Sequence, residues 1–405
     1  MDINKFISLE KKSFKKFFYG NDLNYAKINY YKKSIGITSS SEQKIISIDK
    51  TKKIIHVTSG LQIGNLLNYL NSIGYTIEIL PGHPKITVGG CIANNIHGKI
   101  NIKSNSFKNI IEEVEILDNK YKSKFLNKKK FKNLFNLTCG GFGLTGFIKS
   151  AKIKIIKKNN IINIRRKKIL NFNDFYKFFI NSKSHFLYAW ASFANFNNFK
   201  GIVFESNYEK GKYYKNKFKM KNYKSPIGFK KCYFNFKFLL NIINFLFFHF
   251  SNFIINNNQK QFQFHFPQYP VSLNGVLFSC DDFVAHQVLI NKKNFKNYFM
   301  ELSNITNNEI YYIVMKKMND RKHNISLSGK GILLSITIKK NNQKLINNIF
   351  NLDFKYKALP NLYFNDLFGK KELKRYFGKN YNKFKVNTKS IIIKQKIFTK
   401  ISKVI

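Results

Sequence analysis

The stretch from Pro81 to Lys99, PGHPKITVGGCIANNIHGK, concentrates the residue types that could do chemistry in this chain. Gly89 and Gly90 follow the β-branched run Ile86-Thr87-Val88, so the pattern predicts a strand that ends where side chains would obstruct a close approach. Glycine adopts positive φ without strain, and successive backbone N–H groups freed in this way can cradle a phosphate. His97-Gly98-Lys99 then sets an imidazole and an ammonium on either side of a further glycine. A second cluster, Gly140-Gly141-Phe142-Gly143-Leu144-Thr145-Gly146, lies about 50 residues on. Neither cluster matches the GxxxxGK[ST] of a P-loop or the GxGxxG of a dinucleotide-binding βαβ unit. The chemistry implied is anion binding by backbone, next to a histidine and a lysine.

The elements that must position these groups follow from periodicity. Lys53 to Thr58 alternates as a strand and ends at Ser59-Gly60, and Leu61, Leu66, Leu67 and Leu70 recur at helical spacing up to Gly74. Strands are predicted for Thr76 to Leu80, Ile110 to Leu117 and Phe147 to Ile156, with a turn at Asp118-Asn119. Short strands mixed with short helices are the mark of an α+β domain. Further strands are predicted at Phe186 to Ala194, Gly201 to Phe204, Phe283 to Ile290, Ile310 to Met315 and Gly331 to Ile338, giving a second α+β domain. The organisation expected is residues 1–157, then 158–353, then a tail 354–405 returning to the first domain. No repeat of solenoid length is visible.

Composition narrows the classes. In 405 residues, 44% hydrophobic and 16% aromatic side chains exclude a disordered chain. The 71 Lys and Arg against 21 Asp and Glu give a formal charge of +50. Phosphate neutralisation dominates nucleic-acid binding. Yet the lysines are scattered over nearly every segment, and Arg165, Arg166, Arg321 and Arg375 are the whole arginine complement. Lys, Asn, Ile, Phe and Tyr share A- and T-rich codons, so drift in base composition accounts for the excess, and nucleic acid is not the expected partner. Cys91, Cys139, Cys232 and Cys280 are too dispersed for a disulfide framework or a zinc site, so a reducing compartment and no metal are expected. The start, MDINKFISLEKKSFKKFF, lacks the uninterrupted apolar core of a signal peptide. Phe238 to Ile255 approaches membrane-span length but is broken by Asn241, Asn244, His249, Ser251 and Asn252. It reads as a buried amphipathic helix or as one that lies at a membrane interface. A cytoplasmic location is expected, with peripheral contact to the inner face of the membrane as its extension.

PGHPKITVGGCIANNIHGK followed by TCGGFGLTGFI (Thr138 to Ile148) resembles the FAD-binding domain of the vanillyl-alcohol-oxidase superfamily, in the branch of decaprenylphosphoryl-β-D-ribose 2-oxidase-like flavoenzymes. The resemblance is strong over residues 45 to 155 and fainter through Tyr188-Ala189-Trp190, Phe283 to Ile290 and Gly331 to Ile338. It implies a two-domain PCMH-type α+β fold whose second, substrate-binding domain is built on an antiparallel sheet, with non-covalent FAD. It also implies that Thr87, Val88, Gly89 and Gly90 hold the diphosphate, and that Asn94, Asn95, Ile96 and His97 line the flavin. Gly20, Asn24, Tyr25, Gly82, Gly143, Ile148 and Tyr363 complete the implied cofactor set. Lys99 is implied to face the substrate, with Lys316 and Gln287 on the substrate side.

Several positions depart from the pattern. The family's GxGxSYG reads Gly20-Asn21-Asp22-Leu23-Asn24-Tyr25-Ala26 here, with Asp22 and Ala26 in place of glycines. Leu23 stands where relatives with covalent flavin carry histidine. Ile100-Asn101-Ile102 replaces Asn-His-His, Ser335 replaces a cysteine of some members, and Tyr363-Phe364-Asn365-Asp366 lacks the family's active-site lysine. The resemblance implies oxidation of a secondary hydroxyl of a polyprenyl-phosphate-linked sugar, with an NAD(P)H-dependent reductase completing an epimerisation in cell-envelope biosynthesis. The alternatives are a sugar or aldonolactone oxidase of the same superfamily and a catalytically degenerate flavoprotein-like subunit.

Overall fold

A computed structural model of the chain describes residues 1–405 except 9–13, 24–25, 27, 158–161, 193–198, 209–236, 251–259, 268–282, 307–309, 311–312, 322–323 and 366. After a short helix, Ile3–Ser8, strands β1 (Lys16–Tyr19) and β2 (Ile35–Thr38) pair in parallel. Strands β3 (Ile45–Asp49), β4 (Ile54–Thr58), β6 (Ile111–Leu117), β7 (Ser123–Asn127) and β8 (Phe147–Lys154) form an antiparallel sheet in the order β3-β4-β8-β6-β7. The two-residue strands β5 (Tyr75–Thr76) and β9 (Ile156–Lys157) pair beside it.

The second sheet contains β10 (Ile162–Ile169), β11 (Phe186–Ser192), β12 (Lys200–Tyr208), β13 (Phe283–Ile290), β14 (Ile313–Asn319), β15 (Lys330–Lys339) and β16 (Leu359–Pro360). They run antiparallel in the order β10-β12-β11-β14-β15-β13-β16. The architecture is α+β with antiparallel sheets, as the sequence leads one to expect.

Period-2 alternation gives the second sheet two faces, both covered. On β11, Leu187, Ala189 and Ala191 join one core, while Phe186, Tyr188 and Trp190 join the other. The first core lies under the helices Phe172–Asn181, Lys292–Thr306 and Gln343–Tyr356, where Phe172 stacks on Phe299 at 4.3 Å. The second is shared with the N-terminal sheet and includes Ile55, Val57, Leu66, Leu67, Val114 and Ile153. Each fully buried large apolar side chain contributes about 1.5–3 kcal/mol, so the interface between the two sheets is a continuous core. The C-terminal helices Lys370–Phe377, Lys379–Gln395 and Lys400–Val404 return to the N-terminal half. Lys16 N–H donates to Lys396 O, Phe398 N–H to Lys16 O, and Gln395 Nε2 to Thr145 O.

The helix Ile63–Ser72 buries Ile63, Leu66, Leu67 and Leu70 and stops at Gly74, whose φ is +80°. Some expectations shift. Only Tyr75 and Thr76 of the stretch to Leu80 pair as a strand, because Ile77, Ile79 and Leu80 turn into the core as loop. Ile86-Thr87-Val88 is not a strand end: Thr87 caps the N-terminus of a short helix, Val88–Ala93, accepting from Gly90 N–H at 3.2 Å. Of the strand expected over Ile310 to Met315, residues 311–312 lie outside the described residues, and the strand described is Ile313–Asn319. The aromatic stretch is helical over Lys237–Phe250, and 251–255 lies outside the described residues.

Candidate cofactor site

Three segments, two from the N-terminal half and one from after β16, meet around the helix Val88–Ala93. The first is the turn at Gly20. A Cβ there would stand 2.2 Å from Thr87 Oγ1, so only glycine lets this backbone lie against the helix cap. The second is the glycine-rich loop: Gly140 N–H donates to Ile92 O and Phe142 N–H to Ala93 O, both at 2.9 Å. Gly140 has φ +85°, and a Cβ would stand 2.6 Å from Ser326 Oγ. The third is the loop after β16. The Tyr363 hydroxyl donates to Ala93 O at 3.2 Å, its ring lies 5.2 Å from that of Phe142, and its carbonyl accepts from Ala26 N–H at 2.9 Å. Tyr363 therefore ties all the segments together, and burial pushes its phenol well above the usual range.

The two glycine clusters are in direct contact, but the amides of the first are already used. Val88 N–H donates to Leu61 O, Gly89 N–H to Ser59 O and Gly90 N–H to Thr87 Oγ1. Gly89 serves close packing, since a Cβ would stand 3.0 Å from Ser59 Cβ. In this arrangement Thr87, Val88, Gly89 and Gly90 shape the helix cap instead of presenting a row of open amides. Val88 and Ile148 are buried in the core shared by the sheets. Gly143, at φ +75°, lies against Phe18 of β1, and Gly82 borders open space, with no atom within 4 Å of a Cβ built there. Asn24 and Tyr25 lie outside the described residues, as does Asp366. Asp22 is exposed and holds φ +52°, a glycine-like conformation that aspartate tolerates.

After the helix, Asn94 Oδ1 and Asn95 Nδ2 are buried with no hydrogen-bond partner among the described residues. Such groups cost about 1–3 kcal/mol each when unmade, which marks where a polar ligand would be welcome. Asn95 itself is at φ +43°, with Oδ1 accepting from Lys108 N–H. The chain then runs beside β11: Leu187 N–H donates to Lys99 O, and Asn101 N–H to His185 O. Ser104 and Ser106 anchor the same loop to Asp320, at the end of β14. Ile96 packs against the shared core.

This anchoring brings His97 to the second sheet. On β13, β14 and β15, Val288, Ile290, Ile313, Met315, Leu334 and Ile336 face the helical core. Alternation therefore sets Gln287, Lys316 and Ser335 on the other face, and Gln287 pairs with Ser335 in the ladder. His97 Nδ1 lies 3.2 Å from Lys316 Nζ, and His97 Nε2 lies 3.4 Å from Gln287 Oε1. Burial and the Lys316 charge hold the imidazole well below its usual range, and burial lowers Lys316 to about 8. Both residues keep partial solvent contact, as groups lining a cleft do.

Lys99 is placed differently from what the resemblance implies. It is 6% exposed and donates to His265 O at 2.5 Å, at the C-terminal end of the helix Lys260–His265, with Tyr188 beneath it at 5.3 Å. A cation there meets the negative end of the helix. Burial and Lys316 lower its pKa well below the usual lysine range. It supports the wall of the cleft and does not face into it. The sequence reading also missed Asn361, whose Nδ2 donates to Gln287 Oε1 at 2.6 Å. The one pointer was its place two residues before Tyr363.

The residues present fit an FAD: a glycine-bordered open space at Gly82, orphaned amides at Asn94 and Asn95, and a cation beside a neutral imidazole. Comparison with known proteins points the same way. Residues 7–120 match the family of the FAD binding domain. Decaprenylphosphoryl-beta-D-ribose oxidase of Mycolicibacterium smegmatis is 34% identical over 113 residues, 28% of this chain and 25% of that protein. Delta(24)-sterol reductase of Rattus norvegicus is 26% identical over 139 residues, 34% of this chain and 27% of that protein, and the Homo sapiens enzyme is 25% identical over the same length. The matched stretch thus spans about a quarter of these relatives. The N-terminal part of the chain thus matches an FAD binding domain over residues 7–120 and resembles that of decaprenylphosphoryl-beta-D-ribose oxidase.

Proposed function

We propose that the protein is an FAD-dependent oxidoreductase that oxidises a secondary hydroxyl of a sugar carried on a polyprenyl phosphate. The observation that carries this is the meeting of His97, from the loop that leaves the Val88–Ala93 helix, with Lys316 and Gln287 on the second sheet. A histidine and lysine in contact beside a cofactor domain are what a hydride donor needs for orientation and proton removal. Asn94, Asn95, Gly82, Gly20 and Thr87 would hold the FAD, with Leu23 offering no side chain for a covalent link. The bound flavin would supply the hydride acceptor. Lys316, with a pKa lowered to about 8, can hold or release a proton at Nζ close to neutral pH. Gln287 orients the oxygen that loses it, and His97 holds Gln287 and Lys316 in place. Lys99 stays behind this wall, its amine held by His265 O.

An apolar substrate tail is supported by the helix Lys237–Phe250, which leaves Ile242, Phe245, Leu246 and Phe250 exposed. Lys168 donates to His249 O at its end, and Lys200 lies 5.8 Å from the Phe248 ring. An exposed apolar stripe flanked by lysines suits the surface of an anionic bilayer, where a reductase partner could also meet the product. No helix among the described residues is long and apolar enough to cross a membrane. The two kinds of relative are named for a decaprenyl-linked ribose and for a sterol, which favours a lipid substrate over a free sugar or aldonolactone.

An absorbance spectrum tests the reading. The purified protein, with or without added FAD, should show flavin bands that bleach anaerobically with a polyprenyl-phosphoryl pentose, and acid precipitation should release the flavin. Folded protein that takes up no FAD refutes the cofactor. Bound flavin that bleaches with a free aldonolactone and not with the lipid-linked sugar moves the substrate to the alternative class.

A further inference from the structure

Four side chains form one hydrogen-bonded line beside the His97 loop. Tyr363 N–H donates to Asn361 Oδ1 at 3.3 Å, and Asn361 Nδ2 donates to Gln287 Oε1 at 2.6 Å. His97 Nε2 stands 3.4 Å from the same Gln287 Oε1, and Lys316 Nζ stands 3.2 Å from His97 Nδ1. Amide and imidazole orientations are assigned from their hydrogen-bond partners. Here the two ends decide them. A backbone N–H can only donate, so Asn361 must present Oδ1 to it and Nδ2 to Gln287. An ammonium also can only donate, so His97 must accept at Nδ1 and carry its proton on Nε2. Gln287 Oε1 sits between two donors, which leaves the Nε2 amide protons as the group Gln287 can offer a ligand.

We infer that Asn361 is a positioning residue that, with Lys316, fixes the direction of this line, so that His97 is locked as the Nε2–H tautomer and Gln287 meets the ligand as a donor. Two consequences follow. His97 takes no proton from the substrate, since one nitrogen is protonated and the other is engaged by Lys316. The wall recognises an accepting oxygen, such as a hydroxyl losing its proton or the carbonyl that replaces it. Even when Lys316 is neutral, its amine can give one N–H to His97 and keep a lone pair for that proton. The catalytic meaning of the line rests on the oxidoreductase reading, whereas its direction does not.

The test is therefore made on the flavin-free full-length chain with ¹⁵N-labelled histidine, with the His97 signal identified by its loss in His97→Gln. In the parent, His97 should show a protonated Nε2, a bare Nδ1 and a slowly exchanging Nε2 proton at neutral pH. Asn361→Asp is nearly isosteric but cannot donate when ionised. It should turn the Gln287 amide round, remove the acceptor from His97 and abolish the slow Nε2 proton. Asn361→Leu, a poorer mimic of shape, leaves Gln287 Oε1 to His97 and should keep the signal. A role in shape alone gives the opposite order, and any pattern other than loss in Asp with retention in Leu overturns the inference. If the Asn361 variants do not fold, Lys316→Met decides: the Gln287 acceptor set by Asn361 should by itself keep His97 as the Nε2–H tautomer, and a mixture of tautomers overturns the inference. A parent protein with the Nδ1–H tautomer also overturns it. None of these outcomes depends on FAD uptake, so failure here is distinguishable from failure of the functional reading.

Discussion

Gly82 and Gly140 allow cofactor binding to be separated from folding. At Gly140 an added Cβ would stand 2.6 Å from Ser326 Oγ and 2.7 Å from Ser326 Cβ, on a backbone at φ +85°. The left-handed conformation costs an alanine about 1–2 kcal/mol, and forced overlap in a packed site about 1–3 kcal/mol more. Gly140→Ala should thus lose about 2–5 kcal/mol of stability, and Ser326→Gly in the same chain should restore only the overlap part. At Gly82 a Cβ meets nothing within 4 Å. Gly82→Val should therefore leave the flavin-free protein within about 0.5 kcal/mol of the parent. If that open space belongs to the cofactor, the isopropyl group will weaken FAD by at least about tenfold, or about 1.4 kcal/mol. Titration of flavin fluorescence and urea unfolding of the same FAD-free preparations read the two effects separately. Unchanged FAD affinity in Gly82→Val would show that the cofactor lies elsewhere. Unchanged stability in Gly140→Ala would show that the two glycine loops do not approach as described.

Lys316 has a folded-state pKa of about 8 against a usual 10.5. The unfolded chain thus binds more protons between these values, and this lysine makes the fold gain stability as pH rises through that window. Lys316→Met should raise the melting temperature near pH 7 and flatten its rise toward pH ~10, while Lys16 and Lys317, also lowered to about 8, keep part of the slope. Asp353 is fully buried and accepts from Tyr298, Tyr376 and His286 at 2.8–2.9 Å. Asp353→Ala should lose about 3–5 kcal/mol by urea unfolding, with FAD affinity of the folded protein unchanged, because His286 lies on the face of β13 opposite Gln287. Phe245→Glu with Leu246→Glu should abolish co-sedimentation with anionic phosphatidylglycerol vesicles and leave the melting temperature intact. Retained binding would remove the helix Lys237–Phe250 from the membrane reading.

The strands were legible where β-branched and apolar residues cluster between turn signals, as at Ile54–Thr58, Ile111–Leu117 and Phe283–Ile290. The helices were less so. In Lys292–Thr306 and Lys379–Gln395 the buried residues are separated by lysines and asparagines, so the apolar face is thin in sequence although it packs well in space. Ile86-Thr87-Val88 misled because β-branched residues suggest a strand, while the Thr87 hydroxyl was free to cap a helix. Local propensity yields here to a single side-chain hydrogen bond and to the backbone of Leu61 and Ser59, both distant from what periodicity samples.

The site shows the same division between local and distant information. Glycines announce themselves because a missing side chain is visible in any sequence, and His97 and Lys99 stand beside them. What sequence could not show is that Lys99 turns away to a helix end contributed by residue 265, while Lys316 takes its place against His97. That exchange depends on the loop 97–106 being pinned at both ends, by β11 through Lys99 O and by Asp320 through Ser104 and Ser106. With the loop fixed, residues two apart in sequence are committed to separate partners. The absence of the family's lysine at Asp366 then weighs less than motif comparison suggests. A cation already stands within 3.2 Å of the imidazole, supplied by β14. What the proposed reaction requires is an amine at that wall that can be deprotonated, and the strand that delivers it is immaterial. On this argument Lys316→Arg, which keeps the charge but cannot be deprotonated near neutral pH, should retain flavin and lose turnover. Full turnover in Lys316→Arg, measured as anaerobic flavin bleaching, would show that the proton leaves by another route.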